Sequence, residues 1–186
     1  MSEQVEIPSG RMTVDAFLVW TDHVATGRFE LLDGRAIAMA PEQLAHLRAK
    51  LNVAIALHQA VRQAGLPCEA LPDGATVRID DATAYEPDAL VHCGTPAANQ
   101  TIIADPVIVV EVTSPSNSRV DLITKLADYF RVPSIRHYLV VHLAKCHVRH
   151  HSRGADGSIT TRLLPSGAMT LDPPGITIQV EDLFPA

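Results

Sequence analysis

The sequence predicts a mixed α/β (α+β) protein with a mixed central β-sheet flanked by helices. Three observations lead there. Strand-like and helix-like segments alternate along 186 residues without any internal repeat. Residues 106–112, Pro-Val-Ile-Val-Val-Glu-Val, form a near-continuous β-branched run, the signature of a central strand buried on both faces. Residues 41–63 and 118–131 carry helical periodicity and are long enough to cover a sheet.

Taken in order, residues 13–23 read as a short helix, because Val14, Phe17, Leu18 and Val19 recur at helical spacing. Residues 28–39 read as a hairpin, with Asp33-Gly34 as its tight turn. In the helix at 41–63, Leu44, Leu47, Leu51, Ile55 and the alanines form an apolar stripe expected to face the core. Gly65 and Pro67 end it. Strands follow at 75–79, 88–93 and 106–112. The helix at 118–131 opens on the capping pattern Ser118-x-x-Asp121 and turns Leu122, Leu126, Tyr129 and Phe130 inward. A buried strand at 136–143 precedes strands at 146–150, 159–164 and 176–180, with the loop Gly154-Ala-Asp-Gly157 between the first two of these three. The whole reads as one domain over 1–186: an N-terminal helix and hairpin at 13–40, a core at 41–143 and C-terminal strands at 144–186.

Bulk properties narrow the function. A hydrophobic fraction of 47% is enough for a sizeable core, and no apolar run reaches membrane-spanning length. The first residues lack the basic and apolar regions of a signal peptide, so a cytoplasmic location is expected. Cys68, Cys93 and Cys146 form no CxxC pair and are expected to be reduced, mostly buried thiols. The net charge of −6 argues against strong unaided nucleic-acid binding but is compatible with a local basic groove beside an acidic metal site.

Two acids stand out by setting. Asp88 follows Glu86-Pro87 at the start of an apolar strand, and Glu111 lies inside Val107-Ile-Val-Val-Glu-Val112. A carboxylate in so apolar a strand needs a cation, a hydrogen-bond network or a raised pKa. Two of them at neighbouring strand ends can share a hard cation such as Mg²⁺, which polarises a phosphate and activates water. Lys125, four residues after Asp121 on the next helix, shares its face and can point back toward Glu111. Each residue also has a plainer reading. Asp88 can be a turn or capping residue, Glu111 a hydrogen-bonded structural acid, Asp121 a helix cap and Lys125 a surface partner of Asp121.

Pro87-Asp88, Val110-Glu111-Val-Thr-Ser-Pro-Ser116, Asp121-x-x-x-Lys125 and Tyr129-Phe-Arg-Val-Pro-Ser-Ile-Arg-His-Tyr-Leu-Val-Val141 together resemble the Uma-two family, restriction endonucleases of the PD-(D/E)XK nuclease superfamily. Phe29-Glu30-Leu-Leu-Asp-Gly34, Met39-Ala-Pro41, His46 and the closing Leu171 to Phe184 segment add to the resemblance, which runs from Thr13 onward. It implies a restriction-endonuclease-like fold. It makes Asp88 the aspartate of "PD" and Glu111 the acid of "(D/E)XK", with both as metal ligands. Thr113 stands where the superfamily lysine falls, so Lys125 looks like its migrated equivalent. Glu30 resembles an additional acid of the metal shell, and His46 matches a recurrent histidine without an assigned role.

The resulting expectation is a Mg²⁺- (or Mn²⁺-) dependent endonuclease, a hydrolase acting on nucleic acid, DNA before RNA, with a homodimer implied by two-strand cleavage. The competing expectation is a catalytically inactive interaction module of the same fold.

Other chemistries fall away. Cys146-His147-x-x-His150-His151 alternates across a strand and reads as an exposed histidine-bearing strand rather than a zinc cage. Ser114-Pro-Ser116 lacks nucleophile-elbow glycines. No GxxxxGK[ST] or GxGxxG follows a strand, and aromatics (4%) do not interleave with basic residues.

Overall fold

A computed structural model describes residues 7–23, 27–95, 99–113 and 119–185, without the side chains of 119–121. Helix α1 (Val14–His23) starts where Thr13 Oγ1 accepts the Ala16 N–H and buries Val14 and Phe17. Strands β1 (Phe29–Leu32) and β2 (Arg35–Ala38) form the expected hairpin. Asp33 (φ 48°) and Gly34 (φ 77°) make its turn, and a side chain at 34 would press on the Met12 carbonyl 3.1 Å away. Helix α2 (Leu44–Ala64) ends on Gly65 in the left-handed conformation.

Next come β3 (Cys68–Pro72), β4 (Val77–Arg78), β5 (Ala84–Tyr85), β6 (Ala89–Cys93) and β7 (Pro106–Thr113). Helix α3 (Arg119–Tyr129) leads to β8 (His137–His142), β9 (His147–Arg153), β10 (Ile159–Leu164), β11 (Ala168–Leu171) and β12 (Ile176–Gln179). The six-stranded sheet runs β10-β9-β8-β7-β6-β3, and β2-β1-β5-β4 form a second, smaller sheet. Among the described strands of the large sheet only β7 and β8 pair in parallel, with α3 in their crossover, so that sheet is mixed.

Strand β7 lies inside the large sheet and separates two cores. Ile108, Val110 and Val112 face α2 and the β11–β12 hairpin. Val109 faces the side covered by α3, with Tyr129, Tyr138 and Val140. The β-branched run is therefore buried on both faces, as its composition predicts.

Several expectations are corrected. The stripe Leu44, Leu47, Leu51, Ile55 points to solvent, with Leu44 61% and Leu51 60% exposed. The buried face of α2 carries Ala49, Val53, Leu57 and Ala60, which join the core with residues of β6, β7, β11 and β12. Cys68 and Cys93 are not reduced thiols. They face each other across the β3–β6 ladder and form a disulfide, because antiparallel register makes direct neighbours of residues 25 apart in sequence. Cys146 is free but exposed rather than buried. The strand β9 is not exposed at its histidines: His147, His150 and His151 are all buried. The expected strand at 75–79 shortens to β4, and β3, β5 and β11 add to the strands the sequence predicts. Ser114, Ser116 and Ser118 lie outside the described residues.

Candidate active site

Asp88 sits where the chain leaves the small sheet and enters the large one. Strand β5 ends at Tyr85, Glu86 and Pro87 bridge, and β6 begins at Ala89. Because Ala89 lies opposite Val110, this register carries Asp88 toward Glu111. The two acids are buried, at 5% and 7% exposure. Asp88 Oδ2 accepts the Val112 N–H at 2.6 Å, so the aspartate is fastened to the strand that bears Glu111.

Glu111 emerges on the α3 side of the sheet. Its Oε1 accepts from Lys125 Nζ at 3.0 Å and from the Tyr129 hydroxyl at 2.7 Å. Lys125 and Tyr129 are four residues apart on α3, so one helical face supplies both donors. Lys125 also donates to Glu30 Oε1 at 2.9 Å, and the Glu86 N–H reaches the same oxygen at 3.1 Å. Glu30 thus ties the β1–β2 hairpin to the site. The plain reading of Lys125 as an exposed lysine fails, since it is 6% exposed.

A second cation completes the picture. Lys50, on the buried face of α2, contacts Asp73 at 2.5 Å, Glu42 at 2.7 Å and Asp88 Oδ1 at 3.0 Å. Arg28 adds ion pairs with Asp73 (2.7 Å) and with Glu86. Lys50, Glu42, Asp73 and Arg28 were not foreseen. Lys50 reads as a surface residue of an amphipathic helix, and its partners lie 8, 23 and 38 positions away; only the inward helix face, unknown beforehand, selects it.

His46 gains a role. Its Nε2 donates to the Val112 carbonyl at 2.6 Å, while Nδ1 lies 3.4 Å from Glu42 Oε2. Asp88 therefore holds the Val112 N–H and His46 its carbonyl, with His46 Nε2 only 3.8 Å from Asp88 Oδ2. Asp121 lies in the first turn of α3, with its side chain outside the described residues. Thr113 does not stand in for a lysine; its hydroxyl contacts the Val141 carbonyl and His142.

Electrostatics follow from crowding. Burial pushes the Glu111 carboxyl up, to about 8; Lys125 opposes the rise, while the charges of Asp88 and Glu30 add to it. Burial works against the charge on Lys50, yet Asp88, Asp73 and Glu42 outweigh it and hold the ammonium above its ordinary range. Glu42 and Asp73 also feel burial, but Lys50 holds both below the usual carboxylate range. Burial and the neighbouring Glu111 raise the Tyr129 phenol well above its normal value, so it stays protonated and donates to Glu111.

Six carboxylates (Glu30, Glu42, Asp73, Glu86, Asp88, Glu111) meet three permanent cations (Arg28, Lys50, Lys125). Among the described residues no three metal-ligating side chains already form a cage. The surplus of hard oxygen donors is of the kind a hard divalent cation takes, and burial, with Asp88 and Glu30 adding to it, raises Glu111.

Fold and site are thus of the restriction-endonuclease-like kind: a mixed sheet with an acid-and-lysine cluster at neighbouring strands. The chain belongs to the Uma2 family, whose model is described as "Putative restriction endonuclease" and matches residues 14–185. Among solved structures it is similar to one described as a "putative nuclease belonging to DUF820" from Anabaena variabilis. The TM-score is 0.74 at 16% identity, over 93% of this chain and 97% of that one. No curated protein matches the chain.

Proposed function

We propose that the protein is a divalent-metal-dependent nuclease that hydrolyses phosphodiester bonds, with DNA as its substrate and Mg²⁺ or Mn²⁺ as its cofactor. The observation that carries this reading is the meeting of Asp88, Glu111 and Lys125 in one buried cluster, although they are 23 and 14 residues apart in sequence. Family membership supports the same reaction class.

Asp88 and Glu111 would hold the cation, with Glu30 beside them as a further oxygen donor. A cation bound there would supply Lewis-acid polarisation of a phosphate and a lowered pKa for water. Lys125 already donates to Glu111 and Glu30, so its ammonium is positioned to stabilise charge developing on a phosphate oxygen or to orient the attacking water. Tyr129 holds Glu111 in its rotamer. Lys50 neutralises Asp88 from the opposite side, and His46 fixes the strand between the two acids.

The test is cleavage of plasmid, linear and single-stranded DNA, and of RNA, with Mg²⁺ or Mn²⁺. Metal-dependent cleavage is expected, abolished in both Asp88→Ala and Glu111→Ala. Absence of both cleavage and divalent-ion binding in the wild type refutes the proposal in favour of an interaction module.

A further inference from the structure

The short β8–β9 turn brings two imidazoles together outside the carboxylate cluster. His142, the last residue of β8, pairs directly with His147, the first of β9. Their ring centroids are 4.7 Å apart and inclined by 46°. Both Nε2 atoms are buried and have no hydrogen-bond partner among the described residues. An orphaned buried ring nitrogen is costly, and each of these two packed rings carries one.

The tautomer of His142 follows from its neighbour. The Thr113 hydroxyl donates to the Val141 carbonyl at 3.3 Å, so its oxygen accepts from the Nδ1–H of His142 at 2.9 Å. That leaves the Nε2 lone pair of His142 available to an electrophile. A hydrogen bond from the distal ring nitrogen is what orients a metal-ligating imidazole.

The other histidines do not complete this pair. His137 and His150 lie on the opposite face of the sheet and contact each other, Nδ1 to Nε2, at 2.9 Å. His151 shares the face of His147 but engages Thr161. The pair is therefore a discrete two-nitrogen unit.

We infer that His142 and His147 form a two-imidazole site for a borderline divalent metal such as Zn²⁺ or Cu²⁺, with Thr113 as its positioning residue. Imidazole nitrogen favours such ions, whereas the oxygen-rich cluster at Asp88 and Glu111 suits Mg²⁺. Two protein ligands leave the remaining coordination positions to water or to an incoming anion.

The experiment titrates tag-free, chelator-treated full-length protein with Zn²⁺ by calorimetry at pH 7.5, in excess Mg²⁺. Cu²⁺ electron paramagnetic resonance then counts bound imidazole nitrogens. One saturable site per chain is expected, with two nitrogens on Cu²⁺. His142→Ala and His147→Ala should each weaken Zn²⁺ binding at least tenfold, Thr113→Val by less, and Asp88→Asn not at all. Thermal melting checks that each variant folds, and Zn²⁺ should raise the melting temperature of the wild type but not of the histidine variants. His147→Gln is the fallback should the alanine variant fail to fold. Absent Zn²⁺ binding, or binding unchanged in folded variants at both histidines, overturns the inference. Neither result bears on the carboxylate cluster, which the cleavage assay tests separately.

Discussion

Glu111→Gln separates the energetic load of the acid from its chemistry. Glutamine keeps the shape and an oxygen able to accept from Tyr129 and Lys125, but it carries no charge. In the wild type the carboxyl is raised from 4.5 to about 8, with burial as the main cause. A raised acid is protonated in the folded protein while the unfolded chain has already ionised. Folding therefore takes up a proton between those two values, and stability falls as pH rises through that window. At 1.36 kcal/mol per unit, this one group should cost roughly 4 kcal/mol between pH 5 and pH 9. The assay is urea unfolding of metal-free wild type and variant at intervals across that range. The difference between the two proteins, rather than either curve alone, isolates residue 111, because buried histidines such as His150 and His151 titrate with the opposite sign. The variant should gain on the wild type as pH rises, by several kcal/mol at pH 9, while losing all metal-dependent cleavage. Parallel stability curves would show that Glu111 is not held protonated by its surroundings, and the argument for crowded acids awaiting a cation would fail.

Two further outcomes follow from the same geometry. Lys50→Met removes the ammonium shared by Glu42, Asp73 and Asp88 and leaves buried Asp88 without it, while Arg28 still pairs with Asp73; a loss of about 3–5 kcal/mol is expected from urea unfolding, and a change under 1 kcal/mol would contradict the ion-pair account. The Cys68–Cys93 bridge closes a 25-residue separation, which corresponds to about 3.5 kcal/mol of loop entropy; native protein should show one reactive thiol and three after reduction and unfolding, and three before reduction would refute the bridge.

The family resemblance already contained much of the site. Asp88 and Glu111 are legible from the residues because a charged group in or beside an apolar segment demands an explanation, Lys125 from its place four residues after Asp121 on the next helix, and Glu30 only through the resemblance. Lys50 was not, for the same reason that the face of α2 was misread. That helix carries two helical-period stripes, one of leucines and one of Ala49, Val53, Leu57 and Ala60, and periodicity alone cannot rank them. Packing against the sheet selects the second stripe, and Lys50 and His46 travel inward with it. The disulfide was invisible for a related reason: ladder register, not spacing, makes Cys68 and Cys93 neighbours.

Local chemistry along the chain determined the central strand, the Asp33-Gly34 hairpin, the helix stop at Gly65 and the acids that need a partner, because each depends on a few adjacent residues. Tertiary structure alone decided which helix face turned inward, which cysteines met, how Lys50 joined Asp88 and how His142 came to lie against His147. Those outcomes depend on register and packing between segments far apart in sequence, and hydrophobic burial constrains their sum without naming the pairs.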